Sequence, residues 1–356
     1  MTVTSDLRAN LVPSTAPIRA AARALERAER KLVLVVDADG RLVGTVSDGD
    51  IRRALLRMIP ITAPVTKVMN ASPVVLRPGQ DIRPVVQEMA AKLIRDLPLV
   101  DDQGRVVDLR SIEAPGRLSG RPNTVVIMAG GKGTRLAHLT QTCPKPMLKV
   151  GDKPLLETII ERFRAQGFSN FCISLNYLGD MISDHFGDGG PWDVNISYVR
   201  EDEPRGTAGS LSLIRERPSD PVIVLNGDIL TQMDFGALVS FHQEHGAAAT
   251  VCLREYRFQV PYATVELDGA RIQRLLEKPI QTYLVNAGVY CLDPEVLDLV
   301  PAEGRVDMPD LLNELMERGC PVGSFPIHEY WLDIGQMQDF HLAQSDYQRL
   351  FVAADD

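Results

Sequence analysis

The stretch Val125–Leu136, "VVIMAGGKGTRL", decides how this chain is read. A β-branched run leads into three glycines, a lysine and an arginine. A continuous apolar run of this kind reads as a strand buried on both faces. A glycine-rich turn directly after it lets backbone N–H groups come close to oxyanions. The carboxyl edge of an open α/β sheet is where such folds hold ligands. Lys132 and Arg135 supply cations that a plain connection does not need. The spacing matches neither of two familiar phosphate motifs. G-x-x-x-x-G-K-[ST] does not fit, and Gly131-x-Gly133 is followed by Leu136 where a dinucleotide fingerprint has a third glycine.

Downstream, strand and helix patterns alternate. "PLLETIIERFRAQG" has helical apolar spacing and a terminal glycine, "FCISL" reads as a strand, "MISDHFG" as a helix, and "NISYVR" and "PVIVLNGD" as strands. This βαβα order predicts an α/β, Rossmann-like fold: a mostly parallel mixed sheet with helices on both faces. "AAATVCLREY", "YATVELDGARIQRL" and "YLVNAGVYCL" then read as antiparallel strands, and "MQDFHLAQSDYQRLF" as a closing helix.

Upstream lies a repeat at an offset of 64 residues: Ile18-Arg19 matches Ile82-Arg83, and "VVDADGRLVG" (Val35–Gly44) matches "LVDDQGRVVD" (Leu99–Asp108). Each copy reads as helix, strand, turn, strand, with a glycine where a hairpin turn wants one. Two copies predict an α+β module in which each half covers the other's apolar face. The Pro-, Gly- and Ser-rich run from Ser111 to Thr124 reads as a linker. The expected organisation is a first domain over 1–115, a linker over 116–123 and a second domain over 124–356.

The bulk numbers exclude several classes. A net charge of −9 argues against general nucleic-acid binding. The sequence start has no signal-peptide pattern, and no window approaches a membrane span. Five scattered cysteines without a C-x-x-C pair suit a reducing cytoplasm. His242 and His245 read as the end of an amphipathic helix, so no zinc site is expected. No Ser-His-Asp or Cys-His constellation stands out.

Three further residues sharpen the phosphate reading. "TCPKPML" sets Lys145 between two prolines, a stiff mounting for a point charge on phosphate oxygens. "LNGDIL" puts Asp228 at the end of a buried strand, and "YWLDIG" puts Asp333 in a similar position. Two such carboxylates aimed at one cleft could hold Mg²⁺ (or Mn²⁺) against phosphates, although each alone could be a turn former or helix cap.

From Asn123 to Gln348 the chain resembles the sugar-1-phosphate nucleotidyltransferases. The matching segments, in order, are "MAGGKGTRL", "PKPMLKVGDKPLLE", "EDEPRGTAGSL", "LNGD", "EKP", "VNAGVY" and "WLDIG". The resemblance implies that Ala129, Gly130, Gly131, Gly133 and Thr134 wrap the nucleotide. It implies that Arg135 and Lys145 neutralise the reacting phosphates, with Asp228 catalytic, and that Asp228 and Asp333 hold the metal. It assigns Glu201, Gly206, Thr207 and Gly209 to the nucleoside, Glu277 and Lys278 to the sugar and its phosphate, and Asn286 and Gly288 to the sugar pocket. Gly209 has a packing alternative, and Glu277 with Lys278 a solvated-pair alternative.

The first domain resembles a CBS pair, best over "LVVDADGRLVGTVSDGDIRRALL" (Leu34–Leu56). There the resemblance implies that Ser47 and Asp50 grip the ribose of an adenine nucleotide. The second copy departs from this, with Ala114 in the place of Asp50, and a purely structural or dimerising module is the other reading. The CBS pair also makes a homo-oligomer an expectation.

The implied reaction joins an NTP and a sugar-1-phosphate, releasing pyrophosphate. Glu201 bears on the base. A carboxylate only accepts hydrogen bonds, and guanine offers two adjacent donors where uracil offers one, so GTP is the expected nucleotide. For the sugar, the domain combination resembles enzymes making GDP-glucosamine for legionaminic-type pathways, with mannose-1-phosphate and heptose-1-phosphate as competitors. A non-catalytic sensor of NDP-sugars or adenine nucleotides is the rival of another class.

Overall fold

A computed structural model describes residues 7–28, 30–80, 85, 96–111 and 120–352. The chain divides into two compact units, Met1–Ser119 and Gly120–Asp356.

In the first unit, β1 (Leu11–Pro13) runs parallel to β2 (Leu32–Val36), which pairs antiparallel with β3 (Leu42–Ser47). β4 (Asp96–Val100) and β5 (Val106–Ser111) form a second antiparallel pair. The two hairpin turns are built alike. Asp37 Oδ1 accepts from the amides of Asp39 and Arg41, both at 2.9 Å. Asp101 Oδ1 accepts from Gln103 at 2.9 Å and Arg105 at 2.8 Å. Gly40 and Gly104 close them at φ of 78° and 76°, a region open to glycine. The turns also bond each other reciprocally. Leu42 N–H donates to the Gly104 carbonyl at 2.9 Å, and Val106 N–H to the Gly40 carbonyl at 3.1 Å. Leu34 of one copy packs with Leu109 of the other in a shared core. The repeat is thus a pseudo-twofold pair. Ile82, Arg83 and Ala114, which entered the repeat reading, lie outside the described residues.

Ser47 and Asp50 are engaged with one another. The Ser47 amide and hydroxyl donate to Asp50 Oδ2 at 2.8 and 2.7 Å, and Arg53 donates to Oδ1 at 2.7 Å. They form the capping box of the helix Asp48–Leu56. The ribose grip expected of this pair has to compete with that local role.

The second unit is built on strands β6 (Arg121–Met128), β9 (Phe168–Leu175), β10 (Asn195–Arg200), β11 (Val222–Asn226), β13 (Ala249–Gln259), β16 (Ile280–Leu292) and β17 (Val322–Ile327). Shorter strands pair outside it: β7 (Lys149–Val150) with β8 (Lys153–Pro154), β12 (Ile229–Thr231) with β18 (Trp331–Asp333), and β14 (Thr264–Asp268) with β15 (Arg271–Leu276). The seven-stranded order is β10-β9-β6-β11-β16-β13-β17. Among these strands β16 alone runs against the others. Successive residues of the central strands face opposite layers. Val125, Ile127, Ile223 and Leu225 pack with Ile160 and Phe163 of the helix Leu155–Arg164 and Leu238 of the helix Phe235–His245. Val126 and Val224 pack with Leu311 and Leu315 of the helix Met308–Glu317. That alternation is why these strands read as unbroken apolar runs.

The linker reading extends to residue 123, but β6 already begins at Arg121. Arg121 donates its amide to the Gly167 carbonyl and lays its guanidinium over Phe168, and Asn123 Nδ2 donates to the Pro221 carbonyl at 2.7 Å. These side-chain and main-chain bonds draw polar residues into the strand that a composition-based reading leaves outside.

Candidate active site

From β6 the chain goes outward through β9 and β10, then returns to the other side of β6 as β11. The strand order therefore reverses at the carboxyl ends of β6 and β11, the place where open sheets bind ligands. The glycine loop leaves β6 there and Asp228 follows β11. Gly227 N–H donates to the Met128 carbonyl at 2.9 Å and holds the two exits together.

The loop is braced at both ends. Ala129 N–H donates to the Ser174 carbonyl at 3.1 Å. A Cβ on Gly130 would stand 3.1 Å from both Asn176 Cβ and Glu201 Oε1. Thr140 Oγ1 donates to the Gly133 carbonyl at 3.0 Å, and Gly133 turns at φ 60°. The Tyr177 hydroxyl lies 3.1 and 3.0 Å from the carbonyls of Thr140 and Gln141. Between these anchors Gly131 faces open space, and Lys132, Thr134 and Arg135 are exposed. The backbone of the loop is thus fixed while its polar surface is free for a ligand.

Below the loop sits a cluster of charges. Lys145, held in a short turn between Pro144 and Pro146, is buried and bonds Asp228 Oδ2 at 2.5 Å. β12 and β18 pair Ile229 with Asp333, and Ile334 N–H donates to the Asp228 carbonyl at 3.0 Å. Two aspartates far apart in sequence are thereby brought side by side. Burial first, and then the Asp228 charge, raise the pKa of Asp333, against the opposing pull of Lys145 and Arg135. Asp228 Oδ1 and Asp333 Oδ1 are both buried without a hydrogen-bond partner. Two orphaned carboxylate oxygens that repel one another are the donor set a hard divalent cation accepts. The Arg135 guanidinium lies against Gly335, where a Cβ would be 3.1 Å from Nη1.

A bulge beside Asn226 forms the adjoining wall. The β13–β16 register shifts between Val251 and Leu253. Gly288 turns there at φ 68°, where a Cβ would meet Asn226 Nδ2 at 2.7 Å. Asn286 Oδ1 accepts from Gly288 N–H at 2.9 Å, and Trp331 Nε1–H donates to the Ala287 carbonyl at 2.9 Å. Bulges of this kind re-aim side chains next to active sites.

Other expected residues sit differently. Gly206, Thr207 and Gly209 are bound up with the segment Val306–Met308. Thr207 N–H donates to Asp307 Oδ1 at 3.0 Å, and its hydroxyl accepts from Met308 N–H at 2.8 Å. The amides of Ala208 and Gly209 both donate to the Val306 carbonyl. Glu277 and Lys278 are exposed and lie at the far end of β16, about 20 Å along the strand from Asn286 at the usual rise per residue. The structure does not draw them into the carboxylate cluster, because "EKP" is the turn between β15 and β16. Residues that sequence reading missed are Thr140, Ser174, Asn176, Tyr177, Asp307, Trp331 and Gly335. Trp331 and Gly335 stand within the matching segment "WLDIG" without a role of their own assigned, and the others have no local signature and act through partners distant in sequence.

Thr250 Oγ1, His242 Nδ1, His242 Nε2 and Asp293 Oδ1 form a hydroxyl–imidazole–carboxylate chain with links of 2.9 and 3.0 Å. Thr250 and His242 are buried, and β11–β16 pairing puts the chain at the amino end of β11, opposite Asp228. It ties the helix Phe235–His245 to the sheet.

Residues 124–349 match the nucleotidyl transferase family model. The chain belongs to the nucleotidyl transferase family. Residues 8–57 and 65–109 match the CBS domain model, so the transferase follows an N-terminal CBS pair. A mannose-1-phosphate guanyltransferase of Kluyveromyces lactis is 34% identical over 230 residues, covering 60% of this chain and 62% of the relative. A UTP–glucose-1-phosphate uridylyltransferase of Synechocystis is 33% identical over 235 residues, covering 60% and 61%. The chain thus spans less than two thirds of these relatives' length. The crystal structure of HddC from Yersinia pseudotuberculosis superposes with a TM-score of 0.50 at 26% identity, covering 63% of this chain and 99% of that one. Among the described residues, no helix is long and apolar enough to cross a membrane.

Within this transferase fold Glu201 is held from two sides. The Ser174 hydroxyl donates to Oε1 and Arg205 N–H to Oε2 at 2.9 Å. A carboxylate has about four acceptor sites, so each oxygen keeps one. Ser174→Ala removes a fully buried donor and frees the carboxylate to rotate against Gly130. On the function proposed below, KM for the NTP is expected to rise about 10-fold with kcat nearly unchanged, as for a lost charge-assisted hydrogen bond. Steady-state kinetics check this, and an equal fall in kcat would show that Ser174 acts elsewhere.

Proposed function

We propose that this protein transfers a nucleotidyl group from an NTP to a sugar-1-phosphate, giving an NDP-sugar and pyrophosphate. The observation that carries the reading is the pair of orphaned oxygens on Asp228 and Asp333, set with Lys145 and Arg135 beneath the open glycine loop. A phosphate monoester has a second pKa of about 6 and is already a nucleophile at neutral pH. The protein therefore needs no general base. Its task is to hold two polyanions together and in line with the α-phosphorus. Exposed Arg135 and Lys132 meet the triphosphate at the loop. Lys145 offsets charge at the floor, and Gly131 lets phosphate oxygens reach the backbone. Asp228 and Asp333 would hold Mg²⁺ or Mn²⁺, which would neutralise developing charge on the phosphate oxygens. Asn286 and the bulge at Gly288 form the wall nearest the acceptor sugar.

For the nucleotide we propose GTP. The support is the remaining acceptor site on each oxygen of Glu201 and the relatives named guanyltransferases. For the sugar, those names favour mannose-1-phosphate, and the CBS-linked architecture keeps glucosamine-1-phosphate as the second reading. The test is a matrix of five NTPs against mannose-, glucosamine-, glucose- and heptose-1-phosphates, reading pyrophosphate release with Mg²⁺. We expect GTP to exceed UTP at least about 10-fold in kcat/KM, the scale of one discriminating contact. Faster turnover with UTP, dTTP or CTP overturns the base. Absence of pyrophosphate from every pair overturns the transferase and favours the sensor.

A further inference from the structure

Three separate stretches of chain bring charge to the floor of the candidate site. They are the turn Lys145–Met147, the exit of β11 at Asp228, and β18 with Asp333. Each is thinly held by its own ladder. The turn runs into β7 and β8, which pair through Lys149 with Pro154 and Val150 with Lys153, and β12 pairs with β18 from Ile229 only to Thr231. Ladders this short are marginal in water unless something packs against them. The ion pair between Lys145 and Asp228 is no substitute, because phosphate and cation would share both groups once substrates arrive.

One helix, Met337–Tyr347, reaches all three stretches. It follows β18 directly, and its first turn is closed by the Gln336 amide donating to Asp339 Oδ2 at 2.8 Å. Further along, Gln344 and Tyr347 lie on one face, as residues three apart do in a helix. Both grip the β7–β8 turn. Gln344 Nε2 donates to the Lys149 carbonyl at 2.6 Å, and Oε1 accepts from Gly151 N–H at 3.0 Å. The buried Tyr347 ring lies on Gly151, where a Cβ would stand 2.2 Å from Cδ1. Past the helix, the Leu350 carbonyl accepts from Gln232 Nε2 at 2.7 Å, and Gln232 follows β12 directly. Ala343 and Tyr347 share a core with Val150, Ile229 and Leu230.

We infer that this helix is the strap that sets Lys145 against the two aspartates, and that Gln344 is a positioning residue for the transfer step. The inference rests on the transferase reading proposed above. Gln344 acts through the backbone it holds. Leu148 N–H joins the strapped turn to the Lys145 carbonyl at 3.1 Å, and at the other end Ile334 N–H bonds the Asp228 carbonyl. A side-chain amide suits the place, because one planar group carries both the donor that Lys149 takes and the acceptor that Gly151 needs. Neither a carboxylate nor an apolar side chain serves both. A catalytic group displaced by about 1 Å loses on the order of 100-fold in rate.

The test compares the full-length wild type with Gln344→Met, which fills similar space and makes neither bond. We expect kcat for pyrophosphate release to fall about 10-fold while KM for both substrates stays within about 2-fold. The melting temperature should stay within about 4 °C, because water reaches the exposed amide and replaces its bonds. Amide hydrogen exchange, read without substrates, should quicken at Leu148 and Ile334 as well as at Gly151. Gln232→Met removes the anchor at the other end and is expected to give the same pattern, so it stands in if Gln344→Met folds poorly. An unchanged kcat overturns the inference, as does a fall in kcat that only follows loss of folded protein. Exchange that quickens at Gly151 alone overturns it too. A wild type that releases no pyrophosphate from any substrate pair overturns the transferase reading instead, and exchange at Leu148 and Ile334 then decides the strap by itself.

Discussion

Asp228→Asn and Asp333→Asn are expected to abolish turnover alike and to shift stability in opposite directions. Either change removes one of the two negative charges that would face a divalent cation, and kcat should fall by about 10³-fold or more. Their folding effects differ because their neighbours differ. Asp228 is the counter-charge of buried Lys145, so its asparagine leaves an ammonium poorly paired. Removing one partner of such a pair costs about 2 kcal/mol at this partial exposure, and about 5 °C in melting temperature. Asp333 suffers burial and the charge of Asp228, and its Oδ1 has no partner. Its asparagine relieves that repulsion and should raise the melting temperature of protein kept in EDTA. Mg²⁺ with NTP should then stabilise the wild type and neither variant. Scanning calorimetry in EDTA and in Mg²⁺, beside a pyrophosphate assay, decides the matter. Full activity of Asp228→Asn sinks the metal assignment, and equal destabilisation by both variants sinks the electrostatic account.

The second large effect is structural. Gly206→Val should cost about 3–4 kcal/mol and shift the urea midpoint accordingly. Gly206 has φ 81°, and a Cβ there would stand 2.5 Å from the Val306 carbonyl oxygen and 2.7 Å from Asp307 Oδ1. A β-branched residue meets both the left-handed penalty and a backbone that cannot yield. Gly131→Ala is the contrast. Its Cβ would meet nothing within 4 Å, so stability should hold within about 0.5 kcal/mol while NTP affinity falls. If the two variants melted together, the division between clamp and loop would be wrong.

These two glycines show what was legible in the chain. The strand, the glycine turn, Lys145 between its prolines and the two strand-end aspartates are contiguous patterns, because buried strands and tight turns restrict neighbouring residues. The doubly wound order followed from alternating periodicities. The clamp on "GTAG" was not legible, because Asp307 and Met308 reach it only after the chain has folded. Ser174 looked like any strand serine until β9 set it beside Glu201. Ser47 and Asp50 spell a capping box as well as a ligand motif, and spacing alone does not separate the two. Glu277 and Lys278, expected beside the acceptor sugar, stand exposed in the turn that opens β16, a position that the motif "EKP" alone does not specify.

The short ladder between β12 and β18 has a consequence for how the chain is made. Asp228 and Asp333 meet only when the strand holding Asp333 has docked. A growing chain that has emitted the glycine loop, Lys145 and Asp228 still lacks half of its carboxylate pair. Closing the long loop between the two aspartates is an entropic toll that the packed sheet must precede. On the ribosome the carboxylate pair therefore forms only after Asp333 has cleared the exit tunnel, and no shorter nascent fragment holds both aspartates side by side.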